Sequence, residues 1–97
     1  MSSSKDFLDF VLDQLSMLSD IDYRAMMGEY IIYYHGKIVG GIYDNRLLIK
    51  PTESVLKTLP NVKMEIPYQK GKPMVMITDI ENQELLEHVF NAAYADL

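Results

Sequence analysis

The chain has 97 residues, of which 48% are hydrophobic and 24% are charged. This composition fits one compact domain, residues 1–97, and excludes a disordered chain, which carries fewer apolar residues, and a membrane span, which needs about 20 consecutive apolar residues. The net charge is -5, and the nine lysine and arginine residues are dispersed along the chain, which disfavours direct binding to nucleic acid.

There is no cysteine, so disulfides and thiolate metal sites are excluded, and the acidic start does not have the pattern of a signal peptide. We therefore expect a cytoplasmic protein.

The first predicted element is an amphipathic helix. Ser3 and Asp6 have the spacing of a capping pair, and we expect the helix to end near Leu18. Its apolar residues recur every three or four positions, as on one face of a helix: Phe7, Leu8, Val11, Leu12, Leu15 and Leu18.

An antiparallel meander is predicted next. Gly28 separates the first two strands at a bulge or tight bend, and two-residue turns are predicted at His35 with Gly36 and at Asp44 with Asn45. The predicted strands cover residues 23–27, 29–34, 37–43 and 46–50.

A short helix capped by Thr52, a hairpin of residues 62–66 and 73–77, and a last helix capped by Asp79 complete the prediction. The order is helix, three or four strands, short helix, one or two strands, helix. Because consecutive strands are grouped together and separated from the helices, this order predicts an α+β fold in two layers, with an antiparallel sheet of about five strands and helices on one face.

The second strand is apolar on both faces, because Tyr30, Ile32 and Tyr34 alternate with Ile31 and Tyr33. Two interpretations stay open: a partner covers the side without helices, or strand twist and long lysine stems cover it well enough.

Gly40 and Gly41 lie where a strand normally carries side chains, which indicates either close packing of a helix or the approach of a ligand or partner backbone. Arg24 lies on a largely apolar strand and needs an acceptor. We expect an ion pair with Asp20, Asp22 or Glu29, and the alternative is an exposed contact with an anion or a partner.

The sequence spacing indicates no set of catalytic residues and no set of metal ligands, and no cofactor is expected. His35 is interpreted as a turn residue rather than a base. Glu84 and His88 share a helical face, but no third ligand follows at a suggestive spacing, so we interpret them as a solvated surface.

The run "RAMMGEYIIYYHGKIVGGIYDNRLLIKP", after the helix "FLDFVLDQLSML", resembles the amino-terminal domain of the TfoX/Sxy family of bacterial competence regulators. The resemblance is carried by Arg24, Met26, Gly28, Gly36 and Lys50, with Tyr34, Lys37 and Leu47, and it implies a two-layer α/β domain. Fuller members carry a second, carboxy-terminal domain and are thought to act with a cyclic-AMP-responsive transcription activator. Some stand-alone relatives continue into a basic carboxy-terminal tail. Met27 replaces the phenylalanine of many members.

Two functions are therefore weighed. The first is a non-catalytic regulatory module that binds a protein partner such as the transcription machinery, or a second copy of itself, without contacting nucleic acid or membrane. Its expected contact residues are Arg24, Met27, Tyr30, Tyr33 and Tyr34. The second is a small ligand-binding protein or enzyme with a shallow pocket near Arg24, Gly28 and Gly40.

Overall fold

A computed structural model of the chain describes residues 3–59 and 61–97. One six-stranded sheet has the order β1-β2-β3-β4-β6-β5, and each neighbouring pair is antiparallel. Its elements are α1 (Lys5–Gln14), β1 (Ile21–Met26), β2 (Glu29–Tyr34), β3 (Lys37–Ile42), β4 (Leu47–Ile49), α2 (Glu53–Thr58), β5 (Lys63–Glu65), β6 (Met74–Ile77) and α3 (Gln83–Ala95).

The three helices contribute to one apolar core on one face of the sheet, which confirms the predicted two-layer α+β fold. The sheet has six strands where about five were expected. The strands supply alternate residues to this core, such as Ile32, Leu47, Ile49 and Val75. The helices supply Leu8, Val11, Val55, Leu86, Val89, Phe90 and Ala93.

The helix caps differ in detail from the sequence prediction. The cap of α1 is Ser4, whose Oγ accepts from the Phe7 amide at 3.1 Å, while the Ser3 hydroxyl donates to Glu29 instead. Helix α1 ends at Gln14, before the predicted Leu18. Thr52 caps α2 as expected. The cap of α3 is Asn82 rather than Asp79.

Three two-residue turns join the first four strands, and both central residues of each have a positive φ, as in type I′ hairpins. The predicted turns at His35 and Gly36 (φ 50° and 79°) and at Asp44 and Asn45 (φ 53° and 54°) are confirmed. The turn between β1 and β2 consists of Met27 and Gly28, with φ 52° and 84°. Placing Met27 inside a strand was therefore wrong, because this residue already belongs to the turn.

The glycine pair of β3 lies closely against neighbouring parts of the sheet. A Cβ on Gly40 would lie 2.2 Å from the Leu48 carbonyl oxygen of β4. A Cβ on Gly41 would lie 2.7 Å from Cε2 of Tyr43 and 2.6 Å from the Tyr30 carbonyl oxygen. The nearest atoms belong to β4, β2 and the Tyr43 ring, so neighbouring strands and this ring leave no room for a Cβ at either position. The close packing of a helix over these glycines stays a prediction.

Candidate functional site

The sheet face that points away from the helices is here called the open face. Because paired residues of antiparallel strands share a face, Asp22, Arg24 and Met26 of β1 lie on it beside Ile31 and Tyr33 of β2. Burial on this face is uneven: Arg24 and Met26 are exposed, whereas Ile31 and Tyr33 are half-buried.

The segment of residues 66–73 lies against part of the open face. Arg46 anchors it: one guanidinium nitrogen donates to Glu65 Oε1 at 3.1 Å and the other to the Ile66 carbonyl oxygen at 3.2 Å. The Arg46 Nε donates to the Tyr43 carbonyl oxygen at 3.1 Å. Arg46 therefore joins the β3–β4 turn to the end of β5.

Between this segment and the β1–β2 turn lies a depression of about 820 Å³, here called the open-face hollow. Met27, which is 95% exposed, stands on one rim. Ile66, 52% exposed, and Tyr68, 61% exposed, stand on the other. The remaining lining residues are Met26, Glu29, Tyr43, Asp44, Arg46, Pro67 and Gln69.

The aromatic ring of Tyr43 connects the hollow to the sheet. It lies over Gly41 and has its centroid 6.1 Å from that of Tyr68. Burial raises the pKa of Tyr43 above its ordinary value of 10.0, with smaller contributions from Tyr68 and Glu29. Its hydroxyl therefore stays neutral at physiological pH.

Glu29 and Arg46 of the hollow bond to side chains and backbone groups at its margin. Glu29 accepts the Ser3 hydroxyl at 2.6 Å and the Asp44 amide at 3.1 Å. Arg46 pairs with Glu65 as described above. A small-molecule site normally aims a few polar groups at its ligand. Glu29 and Arg46 are thus already engaged and Asp44 adds a carboxylate, while the other contact that the hollow offers is mainly apolar, from methionine, isoleucine, proline and tyrosine.

Two of the five predicted contact residues lie on the helix side. Tyr34 is only 6% exposed, and its hydroxyl donates to Asn91 Oδ1 of α3 at 2.7 Å. Burial raises the pKa of Tyr34 as well. Tyr30 alternates with Ile31 and packs against the core. The pleat of β2 thus directs Tyr30 and Tyr34 toward the helices, away from the open face, and their contact with a partner stays a prediction.

Arg24 and Tyr33 do lie on the open face, in a separate depression of about 450 Å³ that Asp22 and His35 also line. The predicted ion pair of Arg24 is not formed with any acidic side chain among residues 3–59 and 61–97. Asp20 contacts His35 Nδ1 at 3.2 Å, and Asp22 accepts the Tyr23 amide at 2.8 Å.

The alternative pocket near Arg24, Gly28 and Gly40 is not assembled. Arg24 lines the depression just described, Gly28 lies in the β1–β2 turn, and Gly40 lines a third depression of about 510 Å³ beside Lys50. This third depression shares Tyr43, Pro67 and Tyr68 with the open-face hollow.

Sequence reasoning missed Ile66, Tyr68 and Arg46 as parts of a surface. The sequence prediction places Ile66 at the end of the strand 62–66 and Tyr68 in the hairpin connection, although two large apolar side chains so close to a polar turn are a usable signal of a surface. Nothing in the local pattern around Arg46 indicated that its partner lies 19 residues away.

The described parts of the chain show neither a membrane span nor a metal cluster. Over residues 3–59 and 61–97, no helix combines the length and apolarity that crossing a membrane requires. The same residues contain no cluster of three or more histidine, aspartate or glutamate side chains arranged to hold a metal ion.

Comparison with known proteins agrees with the resemblance found in the sequence. The family model described as the TfoX N-terminal domain matches residues 13–97. The chain is also similar to an "Uncharacterized 12.7 kDa protein in trpE 5'region" of Spirochaeta aurantia, with 31% identity over 80 residues. That alignment covers 82% of this chain and 70% of the relative.

Proposed function

This chain belongs to the TfoX N-terminal domain family, and we propose that it is a non-catalytic, cytoplasmic regulatory module that binds a protein partner through the open-face hollow. The bound surface extends from Met27 across Tyr43 to Ile66 and Tyr68. Arg24 and Tyr33 lie on the same face and extend the surface toward β1.

The observation that carries this proposal is the backbone conformation of Met27 together with the exposure of its side chain. Its φ of 52° is unfavourable for a residue with a Cβ by about 1–2 kcal/mol, and its side chain is 95% exposed to water. Type I′ turns normally use asparagine, aspartate or glycine at this position. A position that breaks the local rule without a structural gain is expected at a functional site.

The composition of the rim also supports binding to a protein. Methionine adapts its shape to varied partners, and methionine and tyrosine are enriched in protein interfaces. Met27 and Tyr68 face each other across the hollow with their apolar atoms in water. The partner of such a surface presents an apolar anchor that fills the hollow.

The class of partner follows from the family and the charge. The resemblance to TfoX/Sxy regulators favours a component of the transcription machinery, with the cyclic-AMP-responsive activator as the first one to test. The net charge of -5 favours contact with a protein over contact with DNA.

The test is a titration of the purified chain with the cyclic-AMP-responsive activator and with RNA polymerase of the same cell, followed by quantitative affinity capture. The variants are Met27→Asn and Tyr68→Ser. Leu56→Ser is the matched control, because Leu56 is 40% exposed but lies on α2, on the helix side.

We expect Met27→Asn and Tyr68→Ser each to weaken binding by at least about tenfold, as for hot-spot residues, and Leu56→Ser to leave it unchanged. A partner that binds all four proteins equally would place the interface elsewhere. A chain that captures no protein above background would remove the proposed function.

A further inference from the structure

The outer edge of β1 exposes a set of backbone groups. Among the described residues, β1 pairs with β2 on one side only. The two-residue turn makes Met26 and Glu29 a hydrogen-bonded pair, so the pairs Arg24 with Ile31 and Asp22 with Tyr33 also bond through their backbones. The amides and carbonyls of Ile21, Tyr23 and Ala25 therefore point outward.

The hydrogen bond of Asp22 is consistent with this assignment. Its Oδ1 accepts the Tyr23 amide at 2.8 Å, which places that amide away from β2. Asp22 thus occupies one outward donor of this edge strand in the monomer.

The charges along this edge are self-complementary. Asp22 and Arg24 flank Tyr23 on the open face and carry opposite charges. When two copies of β1 pair antiparallel with Tyr23 opposite Tyr23, each Asp22 lies opposite an Arg24 of the other copy. In that register both charged pairs are of the non-hydrogen-bonded kind, with Cα atoms about 4.5 Å apart, where side chains interact most closely.

We propose that β1 is a dimerisation edge, on which a second copy of this chain adds its own β1 and extends the sheet through a two-fold axis at Tyr23. The occupant is a second copy because the alternation of aspartate and arginine about one residue matches itself under two-fold symmetry. It also gives Arg24, which has no acidic partner in the described part of its own chain, an ion pair.

Dimerisation exchanges bonds at the edge. The Tyr23 amide leaves Asp22 and donates to the Tyr23 carbonyl of the other copy, while the Asp22 carboxylate passes to Arg24 of that copy. Because the Tyr23 amide already has a hydrogen-bond acceptor in the monomer, the net gain in binding free energy on dimerisation is small. The dimer is therefore weak and depends on protein concentration.

The other edge of the sheet lacks this pattern. Strand β5 has only three residues, and its Glu65 is already paired with Arg46. Lys63 of β5 is exposed and serves as a matched control, because Lys63→Glu changes the charge by the same amount as Arg24→Asp.

The test is sedimentation equilibrium from about 5 to 500 μM, a range in which weak complexes dissociate measurably. The chain is compared with Asp22→Arg, with Arg24→Asp and with the double variant. Asp13→Arg, on the exposed side of α1, controls for the gain of positive charge. Each single variant places like charges opposite each other and should weaken the dimer by at least about tenfold, whereas the double variant should restore it. Lys63→Glu and Asp13→Arg should leave it unchanged.

Amide hydrogen exchange provides a second readout. Exchange at Ile21 and Ala25 should slow as the protein concentration rises, because the outward amides of these two residues become bonded only in the dimer. The proposal is overturned by a chain that stays monomeric at about 500 μM, by single variants that dimerise normally, by a double variant that does not recover, or by exchange at these amides that is independent of concentration.

Discussion

Replacing Met27 by asparagine should stabilise the fold while weakening the proposed interaction. The methionine is held at φ 52°, where a residue with a Cβ loses about 1–2 kcal/mol, and asparagine tolerates this region better. Because the Met27 side chain is 95% exposed, its removal sacrifices almost no burial. We expect a gain in the free energy of unfolding of about 1 kcal/mol, which for a domain of this size raises Tm by about 4–8 °C.

The assay is thermal and urea unfolding followed by circular dichroism. Met26→Asn is the matched control: Met26 ends β1 without a positive φ, so asparagine there should lower the stability by up to about 1 kcal/mol. If Met27→Asn instead lowered stability by more than about 0.5 kcal/mol, the strained turn and the free side chain inferred for Met27 would both be refuted.

Two further variants test the packing and the electrostatics. Gly41→Ala should cost about 1–3 kcal/mol in urea unfolding, since its Cβ would meet the neighbouring tyrosine ring at 2.7 Å, and a neutral effect would contradict that packing. The Ser54 amide and hydroxyl donate to Asp96 and hold its pKa below the ordinary 3.8, so this stabilisation is present above pH 3.8 and is lost as the pH falls. Asp96→Asn should therefore lower stability at neutral pH and flatten its pH dependence in the acid range, whereas an unchanged acid profile would show that the contact with Ser54 is not formed in solution.

Turn chemistry explains why much of the meander could be predicted. Asp44 and Asn45 tolerate left-handed conformations, and Gly36 supplies one for the preceding turn, so both hairpins were visible in the sequence. Met27 carries no such signal, and the first turn was misplaced by one residue. The helical spacing of Leu15 and Leu18 made the first predicted helix too long. These residues are buried, but a turn after Gln14 places them in the core without continuing the helix.

The open-face hollow could not be predicted because it depends on contacts between distant parts of the chain. Arg46 bonds to Glu65 and to the Ile66 carbonyl, and these contacts bring the connection between β5 and β6 close to Tyr43. Local periodicity also leaves open which face of β2 meets the helices. Both faces are apolar, so only the packing of Tyr34 against α3 identifies the buried one.

The edge of β1 and the open-face hollow are geometrically related. A two-fold axis through Tyr23 is perpendicular to the sheet, so a dimer formed through β1 places both of its hollows on the same side of one continuous sheet. Such a dimer suits a partner that is itself two-fold symmetric, because the second contact then forms at a high effective concentration. Asp22→Arg would weaken binding to a symmetric partner without changing the affinity of a single hollow, whereas Met27→Asn would weaken both. The two variants therefore separate the role of self-association from that of the binding surface.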